Sequence, residues 1–531
     1  MESRRAESKA GDGPRADSAD IALLLEGTYP YVSGGVSSWV NQIIRAFPEY
    51  RFALVFIGSQ ASDYGTMKYP LPENVVHLET HYIHTPADKP PVRAQAGDPA
   101  AYAMVARLHE YFRAPSAETE SVIAESLAAL SSAGQLSDAS FLYSRASWDY
   151  TTEQYRRFSR DPSFIDYFWT IRTMHQPLWL LSHVAESLIP VRAFHSVSTG
   201  YAGFLAAVLK WKTGRPVILS EHGIYTKERK IDLFQSQWIT DNRDAFSRDP
   251  AEIGYLRALW IRFFESLGRM CYGAADDIVA LYETNRLRQV ADGAEAARTR
   301  NIPNGIDLPR LAKLRALRPV EPPRILCLLG RVVPIKDLKT FIRAMRSVVN
   351  RMPEAQGWIA GPEDEDPSYV AECKDLVDSL GLGGAVKFLG FQRIDALLPQ
   401  VGLLVLSSIS EALPLVVLEG YAAGVPVVTT DVGSCRQLVY GLPGEDEAFG
   451  ASGRVVGIAD PAALANAALE LLGDRDAWHA AQAAGYKRVE RYYTQDLMFA
   501  QYRELYVKAL QAPTAATKAV PHAASAARGA R

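Results

Sequence analysis

Short apolar runs of strand length, each leading toward a helical pattern, recur in two series along the chain. This feature narrows the fold more than any other. The first series is Ile21 to Leu25, Phe52 to Ile57, Val191 to Val197, Val217 to Ser220 and Asp277 to Leu281. Apolar runs of this kind read as strands buried on both faces, as strands of parallel sheets are. Helical patterns follow directly at Val36 to Phe47 and Tyr201 to Trp211. The second series is Ile325 to Leu329, Trp358 to Ala360, Val386 to Leu389, Leu403 to Leu406 and Val425 to Thr429. A chain of 531 residues is too long for one ordinary core. Two series therefore predict an α/β chain with two doubly wound, Rossmann-like parallel sheets facing across a cleft.

The boundaries follow from changes in composition. Residues 1–19 are polar and charged and read as a disordered tail, as does the Ala-rich end at 513–531. The first domain spans 20–307. Within it, about 86–188 is rich in helical periodicity and aromatics and reads as a helical insertion. The stretch "LPRLAKLRALRPVEPP", 308–323, is basic, ends in a double proline and reads as a linker. The second domain spans 324–493, and a last helix at 494–512 is placed back on the first domain.

Composition excludes several classes. A formal net charge of -3 argues against a general nucleic-acid binder. Four scattered cysteines, Cys271, Cys327, Cys373 and Cys435, make neither a disulfide framework nor a zinc site. The apolar run after the polar start is too short for a signal-peptide core, and no segment has a membrane helix's roughly 18 apolar residues. The expectation is a soluble cytoplasmic protein. Composition leaves open a peripheral place at the inner membrane.

In doubly wound folds ligands bind beyond the carboxyl ends of the strands, so loops after strands are where chemistry is sought. The strongest local signal is "SISEALPLVVLEGYAAGVPVVTTDVGS", Ser408 to Ser434. A strand ends near Ser407, a loop carries Glu411, and Pro414 suits the first turn of a helix. Glu419 lies inside that helix among apolar neighbours, where a carboxylate is costly without a partner. The backbone N–H groups near Leu415 and Val416 form a phosphate site. The bland alternative has Glu411 favouring the helix dipole and Glu419 facing solvent.

The second signal is "LLGRVVPIKDLKTFIRAM", Leu328 to Met345, which sets Arg331 and Lys336 after a strand. Two cations there suit a diphosphate, although a single one would more simply be a solvated charge. His222, in "ILSEHGIYTKER", follows another strand, and by itself is as readily structural as catalytic. Asn304-Gly305 reads as a turn. Asp364 and Asp366 allow a metal site, but "PEDEDPS" reads better as a plain acidic loop. In "LLLEGTYPYVSGGVSSWV" the first strand stops at an acid and turns on Gly34-Gly35 before a helix. That loop serves either tight packing or backbone contact with a ligand.

Together these residues resemble the family 4 retaining glycosyltransferases of the GT-B fold. The Glu411 to Glu419 spacing matches the family's E-x7-E signature, and Ala422 to Val428 its A-x-G-x-P-V-V pattern. "GRVVPIKD" is similar to the diphosphate-binding G-R-x4-K segment, and "PNGID" also matches. "EGTYPYVSGGVSSWV" and "SEHGIYTKER" are closer still to the cytoplasmic glycosyltransferases of Pel exopolysaccharide synthesis. The resemblance implies a UDP-sugar donor, either UDP-glucose or a UDP-N-acetylhexosamine, and a growing biofilm polysaccharide as acceptor. It also implies an inner-membrane Pel export complex as partner, with no nucleic acid, no cofactor and no metal.

By the same resemblance, Arg331 and Lys336 would hold the donor diphosphate. Glu411 would hold the sugar hydroxyls and Glu419 the ribose hydroxyls. His222 would sit beside the reacting carbon, and Gly34-Gly35 would approach the phosphate or the acceptor. "EALPL" departs from the family's E-x-F-G-L, which leaves the donor sugar open. Rival readings are a glycoside hydrolase using Glu411 and Glu419, a GT-B epimerase of UDP-sugars, and a non-catalytic nucleotide-binding subunit of an export complex.

Overall fold

The computed structural model describes residues 13–84, 95–114, 138–159, 163–236, 238–239 and 253–513. The chain divides into two compact units. Unit 1 holds residues 1–280, 285–301 and 503–531, and unit 2 holds 281–284 and 302–502.

Unit 1 is built on a seven-stranded sheet whose pairings are all parallel. Its strands are β1 (Ile21–Glu26), β2 (Phe52–Gly58), β3 (Val75–Tyr82), β4 (Ala193–Ser196), β5 (Val217–Glu221), β6 (Asp277–Ala280) and β7 (Thr299–Asn301). Their spatial order is β3-β2-β1-β4-β5-β6-β7. The direction of winding thus reverses between β1 and β4, and a doubly wound sheet opens a crevice at that reversal. The helix Tyr201–Thr213 is buried almost all round, from Tyr201 to Leu209, because it lies in the core shared with the helix Tyr255–Ala274.

Among the described residues the insertion between β3 and β4 is mainly helical, chiefly at Tyr102–Arg113, Arg145–Phe158 and Phe164–Ser187. In the last of these Tyr167, Ile171, Met174, Leu178 and Leu181 are buried, a spacing of four and three that makes one apolar stripe. Residues 86–94, 115–137 and 160–162 of the expected insertion lie outside the described residues.

Unit 2 repeats the plan with six parallel strands: β8 (Ile325–Leu329), β9 (Gln356–Ala360), β10 (Val386–Gly390), β11 (Leu403–Leu406), β12 (Val427–Thr430) and β13 (Gly453–Val456). The order β10-β9-β8-β11-β12-β13 puts its reversal between β8 and β11. Both sheets therefore share one winding scheme.

Several expectations need correction. Three strands, β3, β7 and β13, were not anticipated. In "VVHLETHY" of β3, polar residues occupy a buried face because they satisfy one another: His77 Nε2 and His81 Nε2 each lie 3.0 Å from a carboxylate oxygen of Glu79.

The tail expected over 1–19 is not free at its end. Leu78 N donates to Pro14 O, Ala16 N donates to His77 Nδ1, and Ala19 is buried. The linker expected over 308–323 begins as the helix Leu308–Ala312 and a 3-10 turn, Lys313–Leu317. Leu311 and Leu314 are buried, so the basic stretch is amphipathic and packs within unit 2. The last helix is Gln495–Gln511, and its end belongs to unit 1, where Tyr506 OH lies 2.8 Å from His195 Nδ1. Residues 1–12 and 514–531 of the expected tails lie outside the described residues.

Candidate functional site

In unit 2 the winding reversal brings together the loops after β8 and β11, and side chains stitch them. Ser407 Oγ donates to Lys336 O and Asp337 O, each at 2.9 Å, and Ile409 N donates to Ile335 O at 2.8 Å. Across this seam Lys336 Nζ lies 2.5 Å from Glu411 Oε1, which also accepts from Ser408 Oγ at 2.7 Å. The Lys336 and Glu411 side chains are only 19% and 14% exposed. Their charges are thus largely removed from water and held by each other. Gly433 backs this loop: a Cβ there would lie 2.2 Å from Glu411 O, and its φ of +53° favours glycine.

The helix Leu415–Ala423 follows at once and opens without a side-chain cap. Leu415 and Val416 supply its first backbone N–H groups, the geometry that attracts anions. Pro414 is the residue before the helix rather than part of its first turn. Glu419 lies on the same helix, partly buried. Burial pushes its carboxyl up to about 7, opposed by Arg310 and reinforced by Asp395.

Arg331 does not join the Lys336–Glu411 pair. Its guanidinium is more than half exposed and bonds both oxygens of Glu365 at 2.7 Å. The acidic loop has other duties too. Asp366 caps the helix Pro367–Ser379 by accepting from Tyr369 N at 3.0 Å, which together with Ser368 holds its carboxyl below the usual range. Among the described residues no group of three His, Cys, Asp or Glu is arranged to hold a metal.

In unit 1 the reversal between β1 and β4 opens on a cavity of about 710 Å³, within the roughly 300–1,000 Å³ range of small-molecule pockets. Glu26, the acid that ends β1, lines it. Its Oε2 accepts from Ala202 N at 3.2 Å and Ser198 Oγ at 3.4 Å, and its Oε1 from Tyr225 OH at 2.9 Å. Arg229 in turn donates to Tyr225 OH at 2.9 Å. His222, after β5, also lines the cavity and packs edge-on to Trp39 at 4.6 Å. Burial drives its imidazole down to about 4, so it is neutral at pH 7.

Beside His222, Glu221 is buried and accepts from Thr199, Tyr225 N, Tyr272 and Gln289. Burial raises its carboxyl despite those four donors.

Gly34 and Gly35 are not the turn that the sequence implied. Gly34 is extended, with a φ of 165°, and Gly35 already begins the helix Gly35–Ala46. The left-handed residue is Gly27, φ +57°, whose N–H donates to Ile57 O at 2.9 Å. Gly34 and Gly35 are exposed, and a Cβ on either would meet nothing within 4 Å. Neither steric packing nor backbone strain requires glycine there. Sequence reasoning missed Glu26, Glu221, Ser407 and Ser408. Only Glu26 left a clear signal, as the acid that stops the first apolar run.

Comparison with known proteins bears on each unit. Residues 19–297, more than half of the chain, match the model described as "Domain of unknown function (DUF3492)". The chain belongs to the DUF3492 family. Its residues 323–474 match the model for glycosyl transferases group 1, so unit 2 carries a domain of that kind. A D-inositol 3-phosphate glycosyltransferase of Nocardia farcinica is 31% identical over 218 residues, which are 38% of this chain and 46% of that protein. The chain spans about half the length of curated relatives such as this one.

Among solved structures, Anabaena Alr3699/HepE in complex with UDP aligns with a TM-score of 0.56 and 16% identity, over 92% of this chain and all of that one. Sucrose-phosphate synthase from Thermosynechococcus elongatus aligns with a TM-score of 0.54 and 17% identity, over 92% and 98%. These likenesses show the fold: two Rossmann-like units of the GT-B class.

Proposed function

We propose that the chain is a retaining glycosyltransferase that moves a hexose or N-acetylhexosamine from a UDP-sugar onto a growing exopolysaccharide. The observation that carries this reading is the Lys336–Glu411 pair, 2.5 Å apart at the winding reversal of unit 2, beside an uncapped helix N-terminus. Breaking the bond between sugar and diphosphate builds negative charge on the leaving phosphate. Lys336 and the first N–H groups of the helix Leu415–Ala423 are preorganised donors for that charge, and Arg331 would join them only on leaving Glu365. Glu411 is then released to accept from sugar hydroxyls, and Glu419 from the ribose. The solved relative Alr3699/HepE was obtained with UDP, which supports the choice of nucleotide.

The polymer we infer is of the Pel type, with the chain in the role of PelF: cytoplasmic, peripheral at the inner membrane and partnered by the Pel export complex. The first-unit segments around Glu26 and His222 support that finer reading. The donor is UDP-glucose or a UDP-N-acetylhexosamine, and no divalent metal takes part.

Calorimetry of the full chain against a panel of UDP-sugars tests the proposal. One of them is expected to bind, and the Lys336→Ala variant to lose that binding. Failure of every UDP-sugar to bind overturns the reading. Conversion of a UDP-sugar without any acceptor would replace it with an epimerase. Transfer is expected to persist in EDTA with less than a twofold loss, and strict dependence on a divalent ion would refute the metal-free part.

A further inference from the structure

The acidic loop "PEDEDPS", which follows β9, is fastened to the loop that follows β8 and carries Arg331 and Lys336. A Cβ on Gly361 would collide with Gly330 O, and Val332 N donates to Pro362 O at 3.0 Å. The helix after the acidic loop, Pro367–Ser379, is tied to the start of the helix Leu338–Arg351. Leu338 N donates to Tyr369 OH at 3.1 Å, and Lys339 Nζ lies 2.6 Å from Glu372 Oε2. On either side of Glu365, Lys374 Nζ lies 2.7 Å from Glu363 Oε2 and Asp366 caps its helix. A plain surface loop would not need so many anchors.

Glu365 is what this frame presents to Arg331, whose Nη1 donates to both carboxylate oxygens at 2.7 Å. A phosphate offers a guanidinium the same pair of oxygens, so Glu365 occupies donors that a diphosphate would use. Lys336 is likewise held by a carboxylate of its own unit, Glu411. The two pairs differ in how firmly they close. The Lys336 and Glu411 side chains are mostly buried, whereas those of Arg331 and Glu365 are 56% and 50% exposed. An exposed pair is worth little, so a diphosphate displaces Glu365 at small cost.

We infer that Glu365 is a competing carboxylate, which holds Arg331 until a diphosphate displaces it and so limits how tightly the site binds UDP. The inference rests on the proposed function and adds to it a residue that weakens the grip on the leaving nucleotide. UDP has to depart after every transfer, and a carboxylate ready to retake Arg331 lowers the affinity for that product. Glu365 is a positioning residue, acting on the ligand only through Arg331. The opposite arrangement has Glu365 aim Arg331 at the ligand, and its removal would then weaken binding.

Calorimetry of the full chain with UDP at low salt tests the inference in a double-mutant cycle. Glu365→Gln is expected to bind UDP about three- to fivefold more tightly than the wild type, the upper range for an exposed pair. The gain should shrink at high salt. In the Arg331→Ala background the same substitution should change UDP affinity less than about twofold, because the competition has no object. In transfer assays the inhibition constant of UDP should fall in Glu365→Gln by the factor seen in calorimetry.

Unchanged or weaker UDP binding in Glu365→Gln overturns the inference, since the carboxylate then supports Arg331 rather than competing for it. Equal tightening with and without Arg331 also overturns it, by reducing the effect to general charge. Both results leave the proposed function standing. Absence of UDP binding in the wild type strikes the proposed function itself, and the inference falls with it.

Discussion

The two units wind their sheets in the same order, yet they furnish the reversal in opposite ways. In unit 2 the charges close on each other: Lys336 holds Glu411, and two serines fasten the loops around them. In unit 1 the reversal stays open as a cavity whose carboxylate, Glu26, is held by Ala202 N and Tyr225 OH. A self-paired cation suits a highly charged ligand, which can replace the carboxylate through stronger interactions. A cavity walled by Trp238, Trp260 and Phe264 keeps its carboxylate bonded to a tyrosine of its own unit instead. One topology thus presents two chemistries, decided by which residues follow the strands.

The largest effect that would break this contrast comes from Lys336→Ala. Transfer is expected to fall at least 100-fold, about 2.7 kcal/mol of transition-state stabilisation. Glu411→Ala should fall comparably, with the fold retained by circular dichroism. Removing the lysine also leaves a largely buried carboxylate with Ser408 alone, so its melting temperature should drop. If Lys336→Ala kept UDP binding while Glu26→Gln lost it, the assignments of the two units would be reversed.

Glu419 sharpens the comparison through pH. Its carboxyl is pushed by burial from the ordinary 4.5 up to about 7, so the folded chain binds more protons than the unfolded chain between those limits. Stability from this group is therefore fully present below pH 4.5 and is lost as pH rises through 7. Glu419→Gln removes that loss. Relative to wild type it should gain ~2 kcal/mol on going from pH 5 to pH 8, measured by urea unfolding. An equal difference at both pH values would show that Glu419 is already paired or solvated. Transfer should nevertheless suffer, because the amide is a weaker acceptor for ribose hydroxyls.

The fold was legible where burial shows as an unbroken apolar run, and it was hidden where polar groups are buried in mutual contact. β1 and β8 could be read from their residues alone. β3 could not, because His77, Glu79 and His81 disguise a buried face as a polar one. The candidate site divides in the same way. Glu411 and Lys336 were visible as charges in loops after strands. Their contact was not, since 75 residues separate them, and Glu26 meets Tyr225 across 199. Sequence shows which loops carry chemistry, and the winding of the sheet decides which loops meet.

Gly35 tests whether the open reversal needs bare backbone. With no Cβ clash and no left-handed φ, Gly35→Val should shift the melting temperature by only a few degrees, through helix propensity alone. Transfer should fall about tenfold, roughly 1.4 kcal/mol, if a ligand lies against this helix start. Equal activity with an unchanged melt would remove Gly34 and Gly35 from the site.

The smallest effect comes from a buried polar cluster that is satisfied. In the helical insertion His175 Nδ1 donates to Ile171 O at 2.7 Å, so its Nε2 accepts from His109 Nε2, 2.8 Å away. His109 Nδ1 then accepts from Tyr150 OH at 2.9 Å, and the chain is complete with both rings neutral. Burial holds His175 down to about 4 and His109 well below its usual value. The unfolded chain therefore binds more protons between about pH 6.5 and 4, and stability drains as pH falls through that window. Tyr150→Phe should cost about 1 kcal/mol at pH 7 by leaving His109 Nδ1 without its donor. The variant's acid unfolding midpoint should rise, because protonating His109 no longer has to displace a hydrogen bond. A loss under ~0.3 kcal/mol at pH 7 would mean that this fold tolerates unpaired buried nitrogens.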